Sequence, residues 1–367
     1  MIPTEMYAEA LASLFEPIRP LLDDPRVTEI LINGPEQIFV ERAGRLERTG
    51  LRFASTGAVL AALRNVAQFA GTYVDATQPI LEARLPDGSR VEAVLSPIVD
   101  DGPAVAIRRF SRSTMTLERL IALGALGPDA AQLLAALVRA KRNLLIAGGT
   151  GSGKTSLLNV LAAAAPAHER VLVLEDTREL SIAHEHVLYM QARKPDERGQ
   201  GAISIRDLFR ASLRMRPDRI IVGEIRGPEA LDLLQAMVSG HGGCLGTLHA
   251  STPRDALIRL ETLCMMSDVD MPLAAIRMQV GAGIDAIVQV DRLSDGSRKI
   301  TRIAELVGYD ADSRRYELRE LFVRSELETD QLAPTGLLPA CLSQLRAHGQ
   351  QLPATMHEAA ALRGEKG

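Results

Sequence analysis

The residues of this chain best suited to chemistry close a glycine-rich octet. Gly148-Gly149-Thr150-Gly151-Ser152-Gly153-Lys154-Thr155 has the G-x-x-x-x-G-K-[ST] spacing of a phosphate-binding loop. Its glycines let backbone N–H groups turn inward around phosphate oxygens. A helix opening where the loop ends adds partial positive charge. Lys154 can reach β- and γ-phosphates, Thr155 can offer its hydroxyl to Mg²⁺, and Ser156 continues the nucleotide-binding run.

A triphosphatase also needs a held metal ion and an oriented water, and strand-end carboxylates supply them. Two sets are present. Glu175-Asp176-Thr177-Arg178-Glu179 follows a predicted strand over 170–174, and Glu224 follows one over 219–223. The position before Glu224, where an Asp commonly holds the metal, is Gly223, so the first set is expected to compensate. Thr155 and water-mediated contacts from Glu224 would hold Mg²⁺, and Glu224 or Glu179 would polarise the water. His249, at the end of the predicted strand 243–248, can touch a γ-phosphate and report its presence. His241, between two glycines, suits a structural and a functional role equally. His184 and His186 have no further ligands nearby and are expected at the surface rather than on a metal.

These residues need a parallel sheet to gather them. Asn143–Ala147 is a short apolar run, as a buried parallel strand requires, and a helix follows the loop. From Lys141 onward strands alternate with helices at 205–215, 228–239 and 253–265. That alternation predicts a parallel sheet wrapped by helices. Ligands of such sheets bind at the carboxyl ends of the strands. Upstream, a helical lead-in is expected to end near Pro20. Strand-like alternation then fills 27–49, a helix 56–73, a hairpin 80–95 and a strand 104–110. A closing hairpin is expected at 284–290 and 299–307, and a further strand at 315–324. The expected division is a lead-in 1–22, an α+β domain 23–110, a connector with helices 111–140, an ATPase core 141–310 and a C-terminal extension 311–367.

Composition narrows the partners. The 367 residues are 46% hydrophobic, without Trp, so the cores must be built from Leu, Ile, Val, Ala and Met. A net charge of −4 argues against a generally basic nucleic-acid surface. Three scattered cysteines give neither a zinc ribbon nor a disulfide framework. No apolar run reaches spanning length, and the N-terminus lacks a basic leader. The expected setting is the cytoplasm, with membrane contact only through partners.

Two further runs are specific. They are Arg214-Met215-Arg216-Pro217-Asp218-Arg219-Ile220-Ile221-Val222-Gly223-Glu224-Ile225-Arg226-Gly227-Pro228-Glu229-Ala230 and Gly240-His241-Gly242-Gly243-Cys244-Leu245-Gly246-Thr247-Leu248-His249-Ala250. At these residues the chain resembles the type II/type IV secretion ATPase superfamily over roughly 25–310. It looks most like Tad-pilus (Flp) assembly ATPases and their conjugation-type secretion relatives. It lacks the four-cysteine zinc module of type II secretion and pilus-extension ATPases, and the long N-terminal extension of many Tad ATPases is not expected.

The resemblance implies a fold: a RecA-like P-loop core preceded by a smaller α+β N-terminal domain. It implies a homohexameric ring with ATP bound between the domains, working with inner-membrane platform proteins. It puts the atypical Walker B glutamate at Glu224, the aspartate box at Glu175–Glu179 and the functional histidine at His249. Arginines that reach the nucleotide fall on Arg90, Arg108 and Arg216. Arginine suits this role because its planar fork matches the oxygens of a triphosphate as charge develops there. A nucleic-acid translocase on the same core, a small-molecule kinase and a non-catalytic nucleotide-binding scaffold remain alternatives. DNA-stimulated hydrolysis would favour the first. Phosphate release without an acceptor would reject the second, and an indifferent Glu224→Gln would favour the third.

Overall fold

Alternating burial in the first part of the chain builds a one-sided antiparallel sheet. Its strands are β1 (Val27–Asn33), β2 (Gln37–Arg42), β3 (Arg45–Arg48), β4 (Ile80–Arg84), β5 (Arg90–Val94) and β6 (Ala104–Arg108), in the order β3-β2-β1-β6-β5-β4. Ile30, Ile32, Ile38, Val40, Leu81, Val91 and Ile107 form its buried face with the helix Thr56–Phe69. Ser55 starts that helix by accepting from Ala58 N at 3.2 Å. The helix stops at Phe69, short of Tyr73. The lead-in does not end at Pro20. Proline lies in the first turn of a further helix, Arg19–Asp23, where its missing N–H costs nothing.

The structure, a computed structural model, describes residues 10–42, 44–109, 115–195, 199–325 and 331–364. It divides the chain into two units, Met1–Arg112 and Ser113–Gly367. The start of the lead-in, the connector residues 111–114 and the last polar residues 365–367 lie outside the described residues.

The second unit carries a nine-stranded sheet. Its strands are β7 (Leu144–Ala147), β8 (Val171–Glu175), β9 (Val187–Gln191), β10 (Arg219–Val222), β11 (Leu245–Leu248), β12 (Ala286–Arg292), β13 (Arg298–Asp310), β14 (Arg315–Arg324) and β15 (Leu332–Pro334). Their order is β15-β14-β13-β12-β7-β11-β10-β8-β9. From β12 through β9 every neighbouring pair is parallel, and β13 to β15 add an antiparallel margin. Strands β7, β8, β10 and β11 are buried at every residue, as helices on both faces demand. One apolar cluster joins the helix Pro128–Arg139 and the helix Lys154–Ala162 to one face. The other gathers the helices Ile205–Ser212, Glu229–Val238, Pro253–Met265 and Leu273–Gly283. Leu345, Met356 and Ala360 of the C-terminal helices belong to the first cluster.

Candidate phosphate-binding and catalytic site

Because β7, β11, β10 and β8 run parallel, their C-terminal ends share one edge. Leu248 pairs with Ala147, Gly246 with Val222, and Val222 with Leu174. The next residues along the chain are therefore neighbours: Gly148 after β7, His249 after β11 and Gly223-Glu224 after β10. Glu175 is the last residue of β8 itself.

The octet forms a tight loop over this edge. A Cβ at Gly148 would lie 2.2 Å from Val290 O, so β12 leaves room only for glycine. Gly153, at φ +101°, is the N-cap of the helix Lys154–Ala162, and no side chain caps that helix. Its first-turn N–H groups thus lack side-chain acceptors and face the loop. Ser152 Oγ is buried without a hydrogen-bond partner. An uncapped helix start and an orphaned hydroxyl in a glycine cradle fit phosphate oxygens.

Lys154 is buried. Its Nζ donates to Gly148 O at 3.0 Å and Gly149 O at 2.8 Å, and lies 3.4 Å from His249 Nδ1. Burial lowers its pKa, partly opposed by the negative charge of Glu224. His249 Nε2 is 2.7 Å from Glu224 Oε1, close enough for an ion pair. That oxygen nevertheless has no hydrogen-bond partner, so the ring N–H is not aimed at it. Burial and then Lys154 push the pKa of His249 down, which keeps the ring neutral near pH 7. Glu224 Oε2 accepts from Arg226 Nη2 at 2.5 Å. The result is a chain of polar groups, Lys154–His249–Glu224–Arg226.

Glu175 and Glu179 separate in role. Glu175 is buried, and its Oε1 accepts from Glu179 N at 2.8 Å and Leu180 N at 2.9 Å. Burial raises its pKa. It shapes the turn that carries Glu179, which is half-buried and contributes negative charge to the surroundings of Arg226. Thr247 Oγ1 donates to Gly223 O at 2.6 Å and so fixes the backbone beside Glu224.

Not every expected residue comes to this edge. Arg216 precedes β10, and Glu224 follows it, so Arg216 lies at the opposite edge of its own sheet, exposed and at φ +53°. His241 precedes β11 and is likewise at the far edge. Arg90 and Arg108 lie in the first unit, directly opposite each other on β5 and β6. His186 and His184 bond to Arg170 and Pro166, and no metal-competent cluster of His, Cys, Asp and Glu occurs among the described residues. The three cysteines are free and buried, with burial pushing the Cys244 thiol up to about 12.

Other site residues escaped sequence reasoning. Arg226 is one, although it stands two residues after Glu224. Glu229 is another: its Oε1 accepts from Arg226 N at 2.7 Å and Gly227 N at 2.8 Å, which fixes the turn after Glu224. An acid in the first turn of a helix was the available signal.

A profile of the family described as type II/IV secretion system protein matches residues 12–319. A putative conjugal transfer protein of Mycobacterium tuberculosis is 37% identical over 295 residues, 79% of this chain and 83% of that one. The type IV secretion system protein VirB11 of Brucella suis is 30% identical over 349 residues, covering 86% and 95%. Among solved structures, the Legionella pneumophila ATPase DotB matches with a TM-score of 0.57 at 21% identity, over 84% of this chain and 82% of that one. The pilus retraction motor PilT with bound ADP matches with a TM-score of 0.53 at 17% identity, over 96% and 88%. These structural likenesses speak for the fold, an α/β RecA-like core preceded by a smaller α+β domain. The chain belongs to the type II/IV secretion system protein family.

Proposed function

We propose that this chain hydrolyses ATP with Mg²⁺ and turns that reaction into domain movement driving a pilus or secretion machine. The observation that carries the reading is the single sheet edge on which a phosphate loop, its buried Lys154 and the Glu224–His249 pair converge. Family membership supports the machine. Relatives named for conjugal transfer and type IV secretion favour the conjugation-type branch over the Tad-pilus one.

The chemistry follows from the donor set. Mg²⁺ takes few protein ligands and keeps several waters, so the Thr155 hydroxyl and a water-bridged Glu224 would suffice to hold it beside the nucleotide phosphates. It would neutralise charge on those phosphates. Lys154 binds phosphate oxygens. Glu224 or Glu179 orients and polarises the attacking water, and His249 senses the γ-phosphate. Arg90 and Arg108 contribute cations from the first unit. Arg216 serves the nucleotide of a neighbouring subunit, because its own sheet holds it away from its own loop. Its left-handed backbone, unusual for arginine, is the kind of strain kept at functional positions. The assembly is a homohexamer that contacts inner-membrane platform proteins in the cytoplasm and binds no nucleic acid directly. No helix among the described residues is long and apolar enough to cross a membrane.

The test is phosphate release from ATP by the full chain with and without Mg²⁺. Lys154→Ala should abolish it with the fold intact, and Glu224→Gln should bind ATP without cleaving it. Unchanged turnover in Lys154→Ala overturns the reading. Mass in solution with and without ATP tests the ring, and a strict monomer in both rejects it.

A further inference from the structure

The acids reach the phosphate loop from one side of β7, by way of β11, β10 and β8. On the other side lie β12 and β13, whose connecting hairpin has no role in the reading above. That hairpin packs on the loop. Arg298, the first residue of β13, donates from Nε to Gly151 O at 2.9 Å. Its stem covers the helix start, with Cδ 3.3 Å from where a Cβ of Gly153 would be. Arg292, the last residue of β12, brings a second guanidinium to the same side, with Nη1 4.0 Å from the corresponding point at Gly151.

A guanidinium donates along two edges. The side edge of Arg298 is engaged through Nε at Gly151 O. The end edge carries Nη1 and Nη2, whose parallel N–H bonds match two oxygens of one phosphate. Among the described residues no carboxylate pairs with Arg298, and its guanidinium makes no other hydrogen bond. The buried, unpartnered Ser152 Oγ lies in the same loop, between Gly151 and Gly153.

We propose that Arg298 is a nucleotide-binding residue, anchored to the loop through Nε and offering its Nη1/Nη2 edge to phosphate oxygens of the bound nucleotide. The inference rests on the reading of the loop as a nucleotide site. It makes the β12–β13 hairpin a second wall of that site, within the same unit as the loop. Arg298 binds phosphate in ground and transition states alike, so it acts on affinity rather than on turnover.

The experiment compares Arg298→Ala and Arg298→Lys with the unaltered full chain. It measures binding of a fluorescent ATP analogue, kcat and KM for ATP, and the thermal midpoint without nucleotide. A charge-assisted hydrogen bond of usual strength predicts a Kd raised about tenfold or more in Arg298→Ala, with KM rising and kcat held within about twofold. Arg298→Lys, which keeps charge and loses the fork, should recover only part of the affinity. The midpoint should not move, because the side chain is exposed. Wild-type affinity in Arg298→Ala overturns the proposal, as does an affinity loss matched by a fall in the midpoint. Lys154→Ala separates the two readings. If it weakens binding while Arg298→Ala does not, only the role of Arg298 fails; if neither variant changes binding, the nucleotide site itself fails.

Discussion

Glu175 stands where a side chain at position 223 would have to go: a Cβ built on Gly223 lies 2.8 Å from Glu175 Cγ. The common metal-holding Asp before Glu224 is thus excluded by a neighbouring strand, which supplies its own carboxylate beside the same backbone. Gly223→Ala should therefore destabilise the chain by about 1–3 kcal/mol, the usual cost of overpacking. In an Glu175→Ala background most of that cost should disappear. Urea unfolding of the four chains of this cycle measures the coupling, and strictly additive effects would contradict the contact.

Truncating Glu175 has its own consequence. It leaves Glu179 N and Leu180 N without their acceptor. Glu175→Ala should cost about 1–3 kcal/mol for the orphaned donors. Glu175→Gln keeps an acceptor oxygen and relieves the burial of charge, so it should be close to neutral. Equal losses in the two variants would refute this account.

Protonation of His249 gives a signed pH dependence. Its folded pKa lies below the ordinary 6.5, through burial first and Lys154 second. Between the two values the unfolded chain binds more protons. The stability contribution is therefore full above about pH 6.5 and falls as the pH drops through that window. His249→Gln should flatten this part of the profile. Thermal midpoints at about pH 5.5 and about pH 7.5 test it, and an unchanged slope in the variant would assign the effect to another group.

Thr247 offers a check on how Glu224 is held. Thr247→Val preserves shape and removes the donor to Gly223 O. The expected loss is about 1–2 kcal/mol of stability, with kcat reduced and ATP affinity kept. Reduced affinity with normal kcat would show that Thr247 acts on the loop instead.

The far edge carries a buried ion pair. Arg219 is fully buried and bonds through Nε to Glu169, which also lies 3.3 Å from Lys141 Nζ. Glu169→Ala would leave the Arg219 charge uncompensated, at a cost of about 3–5 kcal/mol. A loss under 1 kcal/mol in urea unfolding would mean that water replaces the carboxylate.

The loop and the acidic strand ends were legible in the sequence because each is a local run: a glycine pattern, or an acid closing a short apolar stretch. The edge strand β9 was missed because Val187–Gln191 is only half-buried and shows no alternation. The helix Leu273–Gly283 was missed because its apolar and small residues give little periodicity. Arg298 acquires its partner, Gly151, only through tertiary folding, whereas Arg226 was missed although its partner Glu224 is two residues away. For Arg216, closeness in sequence misleads. It is eight residues from Glu224, but a strand runs between them and carries the two to opposite edges.

That strand has a mechanical consequence. Strand β10 is four residues long, about 13 Å at the usual rise, and buried on both faces. Clamped between β8 and β11, it has no room to bend and behaves as a strut. It holds Glu224, beyond one end, and Arg216, beyond the other, on opposite edges of the sheet. The strand is thus a rigid spacer, and its length sets how far apart those two edges of the core are kept.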